Sequence, residues 1–466
     1  MPPATTLEFH GGAGTVTGSK FVVDTGAGRL LVDCGLYQGL KELRLRNREA
    51  PPVPARSIDA VVLTHAHIDH SGYLPRFLQA GYEGPVYATR GTADLLRILL
   101  PDSGRLHEEE AAYHNRHGTS KHTPALPLYT ELDGVEAAAR VTGVGYEETV
   151  PLAPGIAVRF SRAGHILGSA IVRVDLGTGH DRRRIVFSED LGRHGAPILP
   201  DPSPLGDADV VVVESTYGDR RHSREPIADQ LERVIRDAVA RGGAIVVPAF
   251  AVGRTQELMY HLAALEQADR IPRLPTYVDS PMAISATEVY ARHPEDFDDD
   301  MRARLASDAR PVRPARFRLA RSPEESKAIN EIAGPVVIVS ASGMATGGRV
   351  LHHLRRRLPD PRTTVLLTGF QAIGTRGWRL QEGEPTLRIF GEDVPVRARV
   401  ESVQGLSAHA DADGLMRWLG TAARPPRRVH VVHGEPGPAA ALAGRIRAEL
   451  GWDVTVPAHG SRAAVE

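Results

Sequence analysis

The sequence predicts an α/β protein in which an α/β unit with a parallel sheet is inserted into a β-rich sandwich. Three observations carry this. The first two hundred residues are short Val- and Ile-rich stretches between polar, glycine-rich corners. From about Pro226 strand and helix patterns alternate, and near Val400 the strand-like texture returns. The expected boundaries are 1–215 for the first part of the sandwich, 216–394 for the insertion and 395–466 for the return.

Element by element, Lys20–Asp24 and Arg29–Asp33 flank Thr25-Gly26-Ala27-Gly28 in a hairpin pattern. Ala60–Thr64, Val158–Ser161, Ile171–Asp175, Arg184–Ser188 and Asp209–Glu214 read as strands, and Thr92–Leu100 and Glu108–His117 as two helices. In the insertion, Ile227–Arg241 and Arg254–Leu265 have helical periodicity. Ala244–Pro248, Thr276–Val278, Val336–Val339 and Thr363–Thr368 are apolar runs of the kind a parallel sheet buries on both faces. Arg428–His433 is a last strand ending in a polar corner.

A chain of 466 residues suits two domains, and 42% hydrophobic with 24% charged residues is ordinary for a soluble globular protein. No apolar run approaches the roughly 18 residues of a membrane span. Met1-Pro2-Pro3-Ala4-Thr5-Thr6 lacks the basic start and apolar core of a signal peptide, so a cytoplasmic location is expected. One cysteine, Cys34, excludes an intrachain disulfide and a thiolate-built zinc site, and reads as a small buried hydrophobe. A net charge of −1 argues against indiscriminate coating of nucleic acid but leaves room for a local basic groove. Only four of the 56 basic residues are lysines, which we read as a composition bias. The seven arginines from Arg302 to Arg321 read as a solvated face.

The strongest chemical signal is Asp59-Ala-Val-Val-Leu-Thr-His65-Ala66-His67-Ile68-Asp69-His70, an apolar strand running into four ligand-type side chains. Side chains at i and i+2 of an extended segment point the same way, so His65 and His67 can grip one metal ion. Asp69 and His70 fall where the chain turns toward a helix and can face a second. Imidazole and carboxylate without cysteine suit zinc, and manganese could take the same ligands. Further candidates end other apolar strands: His165 in Arg162-Ala-Gly-His165, Asp190 in Ser188-Glu189-Asp190, and His433 in Val431-Val432-His433.

With Leu31-Val32-Asp33-Cys34-Gly35, Val212-Val213-Glu214-Ser215-Thr216 and Ser407-Ala408-His409-Ala410-Asp411, these motifs resemble the metallo-β-lactamase-fold nucleases of the β-CASP group. The likeness is to the short bacterial and archaeal ribonucleases, relatives of the endonuclease of eukaryotic mRNA 3′-end formation. It implies an αββα metallo-β-lactamase sandwich with an inserted α/β β-CASP domain and two Zn2+ per chain. It also implies that His65, His67 and His165 hold one ion, that Asp69, His70 and His433 hold the other, and that Asp190 bridges them. Asp33 and Glu214 would orient liganding histidines. His409 resembles the family's extra histidine outside the metal ligands, as a general acid or a phosphate-binding imidazolium. Ser407, two residues earlier, could donate to a phosphate oxygen.

The implied activity is hydrolysis of RNA, single-stranded in form, by endonucleolytic or 5′-to-3′ exonucleolytic cutting, with a homodimer compatible. In the insertion, Ser340-Ala-Ser342-Gly343-Met344-Ala345-Thr346-Gly347-Gly348-Arg349 follows a strand and precedes a helix. There Gly347, Gly348 and Arg349 are candidates to hold a phosphate. Phe250 could stack on a base, though a core aromatic is the more frequent use. Three other readings compete: a small-molecule esterase or thioesterase of the same fold, a DNA-processing β-CASP nuclease, and a non-catalytic RNA-binding subunit. The insertion and His409 weigh against the first, His433 against the second, and the filled ligand positions against the third.

Overall fold

A computed structural model describes residues 5–153, 155–177, 182–307, 312–403 and 405–465. Its chain forms two compact units, one of residues 1–196, 200–221 and 409–466, the other of 197–199 and 222–408.

The first unit contains two seven-stranded sheets. One runs in the order Arg462–Ala464, Thr6–Gly11, Lys20–Asp24, Arg29–Val32, Ala60–Val62, Val86–Thr89, Val141–Val144, antiparallel as far as Arg29–Val32 and parallel beyond it. The other runs Val454–Thr455, Arg428–Val431, Val210–Val213, Arg183–Phe187, Ala170–Leu176, Ile156–Arg162, Thr149–Ala153. Alternate residues of both sheets meet face to face: Leu7, Phe9, Phe21, Val23 and Val62 from the first, Phe160, Val172, Val174, Phe187 and Val212 from the second. The intervening residues Ile171, Val186, Val211, Val213 and Val431 point outward, against Leu415, Trp418, Leu419, Leu442 and Ile446 of the helices Ala412–Leu419 and Pro436–Leu450. Helix Arg90–His117 covers the outer side of the first sheet, touching Val86–Thr89 and Val141–Val144. The result is the αββα sandwich.

Where two helices were expected, Arg90–His117 is one helix of 28 residues that passes through Pro101. Gly104, in the stretch left between the two expected helices, serves close packing. A Cβ there would stand 2.2 Å from Thr130 O, and a Cβ on Gly134 of helix Glu131–Ala139 would stand 2.4 Å from Leu100 O. The two helices touch backbone to backbone, and this contact outweighs the local propensity to break.

The second unit is built on a six-stranded, all-parallel sheet in the order Arg316–Leu319, Pro275–Val278, Val337–Ser340, Ile245–Pro248, Thr364–Leu367, Arg399–Ser402. Ile245 and Val247 face Leu231, Ile235, Leu258 and Leu262, while Val246 and Val365 face Val350, Leu354 and Leu380. Burial on both faces explains the unbroken apolar runs. The unit extends to residue 408 rather than ending at 394, because Arg399–Ser402 pairs with Thr364–Leu367 as the edge strand of this sheet. Its alternating charges gave too little apolar signal to assign it there. Of the arginine-rich stretch, Arg302, Arg313, Arg316, Arg318 and Arg321 are exposed, in keeping with a solvated face, Arg304 lies over Tyr260, and Arg310 lies outside the described residues.

Beside the strand Arg29–Val32, Lys20 is buried. Its ammonium donates to Gly35 O and to Gly18 O at 3.3 Å, and lies 4.8 and 4.7 Å from the ring centres of Tyr37 and Tyr73. Burial pushes it down from 10.5 to about 8, with Cys34 opposing. Between those values the unfolded chain keeps a proton that the folded chain has lost, so the Lys20 contribution to stability rises with pH across that window. Urea denaturation of wild type and Lys20→Met at several pH values tests this. The difference should shift in favour of wild type by about 1–3 kcal/mol between pH 8 and 10, and a pH-independent difference would contradict it.

Candidate metal centre

All the candidate ligands of the sequence lie at one rim of the sandwich. Asp33 follows Arg29–Val32, His65 follows Ala60–Val62, His165 follows Ile156–Arg162, Asp190 follows Arg183–Phe187, Glu214 follows Val210–Val213 and His433 follows Arg428–Val431. After His65 the chain turns through the short helix Ile68–Ser71, which begins after His67 and carries Asp69 and His70. That turn is fixed from behind: Ser19 N donates to Asp69 O at 2.9 Å and Cys34 N to His70 O at 2.8 Å.

Two groups of atoms converge. His65, His67, His165 and Asp190 form one, and Asp69, His70 and His433 the other, with the offered atoms of each group all within 4.8 Å of one another. In the first, His67 Nδ1 stands 3.1 Å from His65 Nε2 and 3.3 Å from His165 Nε2, and Asp190 Oδ2 lies 3.4 and 3.3 Å from the latter two. In the second, His70 Nε2 and His433 Nε2 are 3.1 Å apart, with Asp69 Oδ2 at 3.8 and 3.7 Å. Asp190 Oδ1 reaches His70 Nε2 at 3.4 Å, so one carboxylate faces both groups. Donors on a tetrahedral zinc at about 2.0–2.1 Å stand roughly 3.3 Å from one another. The donor set and its spacings therefore fit two such ions.

The hydrogen-bond network assigns the tautomers. A carboxylate only accepts, so His70 Nδ1 donates to Asp33 Oδ2 at 2.7 Å, and in the neutral ring its Nε2 presents a lone pair. Thr64 Oγ1 donates to the same oxygen at 2.8 Å and accepts from His65 Nδ1 at 3.1 Å, which turns the His65 Nε2 lone pair inward as well. Asp33 thus orients both histidines, one directly and one through Thr64. Thr216 Oγ1 lies 3.2 Å from His433 Nδ1. Neither threonine was singled out from the sequence. Thr64 could have been, as the hydroxyl immediately before His65, whereas Thr216 carries no signal of its own.

Glu214 does not orient a liganding histidine as expected. Its carboxylate accepts the Leu191 amide at 2.7 Å and holds His409 Nδ1, 3.2 Å from both oxygens. The His409 ring packs on His165 at 4.6 Å between centres and turns Nε2 toward Asp190 Oδ2, 3.9 Å away.

Charge follows burial and neighbours. Burial pushes His65 down to about 3, His67 down to about 4 and His165 well down. Asp190, although burial opposes it, is held far below the usual carboxylate range by His433 and His70. His409 rises to about 9, because Glu214 and Asp190 outweigh its burial. Asp33, Glu189 and His433 adopt positive φ of 59°, 38° and 44°, the left-handed region that disfavours side chains. Such strain gathers where a site demands one side-chain position.

The second unit gives a different account of the proposed phosphate contacts. Arg349 donates to Asp279 Oδ1 at 2.7 Å, Ala320 O at 3.0 Å and Arg321 O at 2.9 Å. Its guanidinium is consumed by a buried network that includes His353 and Ser326, both on Asp279 Oδ2, which corrects the expectation that it holds phosphate. Gly347 belongs to a loop closed on itself, its amide 3.4 Å from Ser342 Oγ, and Gly348 has φ 78°. Phe250 is wedged between Gly343 and Gly369, in keeping with a packing role. Ser407 belongs to this unit and is buried.

Among known proteins, residues 14–155 match the model of the metallo-beta-lactamase superfamily, 255–380 that of the Beta-Casp domain, and 393–457 that of the Zn-dependent metallo-hydrolase RNA specificity domain. Ribonuclease TTHA0252 of Thermus thermophilus is 38% identical over 97% of both chains. Transcription termination factor FttA of Methanosarcina mazei is 34% identical over 94% of this chain and 68% of its own. An RNase J-like protein of Methanocaldococcus jannaschii is 30% identical over 98% of both. A crystal structure of a protein of unknown function from Enterococcus faecalis V583 shares the fold, with TM-score 0.54 and 14% identity over 99% of this chain and all of that one.

The tie between Cys34–Gly35 and the Asp69–His70 turn is testable. A Cβ on Gly35 would stand 1.6 Å from Asp69 O, whereas one on Gly437 meets nothing within 4 Å. Gly35→Ala should therefore cost about 1–3 kcal/mol of unfolding free energy, and Gly437→Ala close to none. Equal stability of the two variants would show that the turn does not depend on this contact.

Proposed function

Because this chain belongs to the β-CASP group of metallo-β-lactamase-fold, zinc-dependent hydrolases, we propose that it is a ribonuclease that hydrolyses RNA phosphodiester bonds. The observation that carries the reading is the convergence of seven ligand-type side chains on two adjacent points, with a separately held histidine beside them. Three features support RNA as substrate: the match to an RNA specificity domain, a ribonuclease relative alike over nearly its whole length, and a histidine at position 433.

His65, His67 and His165 would hold one zinc ion, Asp69, His70 and His433 a second, and Asp190 both, with manganese able to take the same oxygen and nitrogen donors. Divalent cations bound there would lower the pKa of a water toward about 7 and neutralise charge growing on the phosphoryl oxygens. The chain's own part is orientation and proton transfer. Asp33 fixes His70 and, through Thr64, His65. Glu214 pins His409 Nδ1, so a proton carried on Nε2 is aimed at the rim where the leaving sugar oxygen departs. The substrate is single-stranded RNA, cut internally, from its 5′ end, or both.

No helix among the described residues is long and apolar enough to cross a membrane. Cys34 is free and buried, and burial pushes its thiol up to about 12. A lone, inert cysteine suits a reducing compartment, and we place the enzyme in the cytoplasm.

The test is incubation of the full chain with end-labelled RNA and DNA of equal sequence, with and without chelator. RNA should be cut and DNA spared, and chelation should abolish cutting. His409→Ala should retain both ions while cleavage falls by about 10²-fold or more. Loss of metal in that variant would overturn the role given to His409, and RNA left intact by the metal-loaded enzyme would overturn the ribonuclease reading.

A further inference from the structure

Behind the His70 ring lie two carboxylates where one suffices for its hydrogen. That hydrogen, on Nδ1, goes to Asp33 Oδ2. Asp33 is engaged twice more by Thr64, whose amide donates to Oδ1 at 2.7 Å and whose hydroxyl donates to Oδ2. The second carboxylate is Glu189. It is fully buried, its Oε2 lies 3.3 Å from the same Nδ1, and neither of its oxygens receives a hydrogen bond. Its backbone, at φ 38°, lies where glycine is favoured.

A strained residue that also buries an unsatisfied carboxylate is doubly unfavourable, and burial of such a group in its ionised form is tolerated only beside positive charge. Asp33, His70 and Glu189 offer atoms within 4.8 Å of one another, on the side of the ring opposite Asp69, His433 and Asp190. A cation held by His70 Nε2 would be the compensating charge, felt through the ring.

We infer that Glu189 is a positioning residue of the second cation site, its carboxylate joining Asp33 behind His70 so that Nε2 becomes a stronger donor. This rests on the two-ion reading above. Metal-ligating imidazoles gain basicity when a carboxylate sits on their far nitrogen, and removal of such partners typically costs about 10- to 100-fold in metal affinity. Glu189 adds a second carboxylate to that arrangement, and its neighbour Asp190 is the residue facing both ion positions.

The experiment is titration of the metal-stripped full chain with Co2+, followed by the visible absorption of bound cobalt in competition with a chelator. Wild type should take up two ions. Glu189→Gln, of the same shape without the charge, should bind the first as wild type does and the second about 10- to 100-fold more weakly. Glu189→Gly removes the carboxylate and the backbone strain together, so it should melt no lower than wild type and show the same selective loss. Second-ion affinity unchanged in both variants overturns the inference. Uptake of fewer than two ions by wild type overturns instead the reading on which it rests.

Discussion

Around Asp190, imidazole nitrogens face one another at hydrogen-bond distances, although His65 and His70 have their ring hydrogens directed elsewhere. His65 gives its Nδ1 hydrogen to Thr64, and His70 gives its own to Asp33. When neutral, those two rings turn lone pairs toward the centre, beside the buried Asp190 carboxylate. Such an arrangement is electrostatically unfavourable by itself and becomes favourable around cations. In the proposed reading this demand for positive charge explains the strained backbone at Asp33, Glu189 and His433 and the closeness of Asp69, His70 and His433.

The sandwich meets that demand through topology. Strands that run in the same direction bring their carboxyl ends to one rim, and each contributes a single polar side chain just beyond its last buried apolar residue. The strands themselves are anchored by alternating burial, Val210 and Val212 toward one layer and Val211 and Val213 toward the other, so the residue that follows has little freedom in where it points. Backbone bonds from Ser19 and Cys34 to the Asp69–His70 turn then join two parts of the chain that are distant in sequence. Rigid placement of this kind is what hydrolysis at a fixed phosphate needs.

The strands, the seven ligand-type residues and His409 were legible in the sequence because each combines an apolar run with a rare residue type at its end. Less legible were features decided by contacts across the chain. Glu214 looked interchangeable with Asp33 as a strand-end carboxylate, yet Asp33 meets His70 while Glu214 meets His409. Arg349 looked like a phosphate anchor beside glycines until Asp279, a buried acid seventy residues earlier, proved to hold it. Gly104 and Gly134 mark backbone contact between helices, which no local pattern announces. Arg399–Ser402, with its charged residues, hid an edge strand and with it the end of the inserted unit. Local pattern reports period and polarity, and it says little about which of several like residues finds which partner.

The central claim, that one carboxylate and six further side chains enclose a pair of cations, is tested most directly by anomalous diffraction at the zinc absorption edge from crystals of the full chain. The account predicts two peaks about 3.5–4 Å apart on either side of the Asp190 carboxylate, one among His65, His67 and His165 and the other among Asp69, His70 and His433. A single peak, or peaks remote from Asp190, would contradict it.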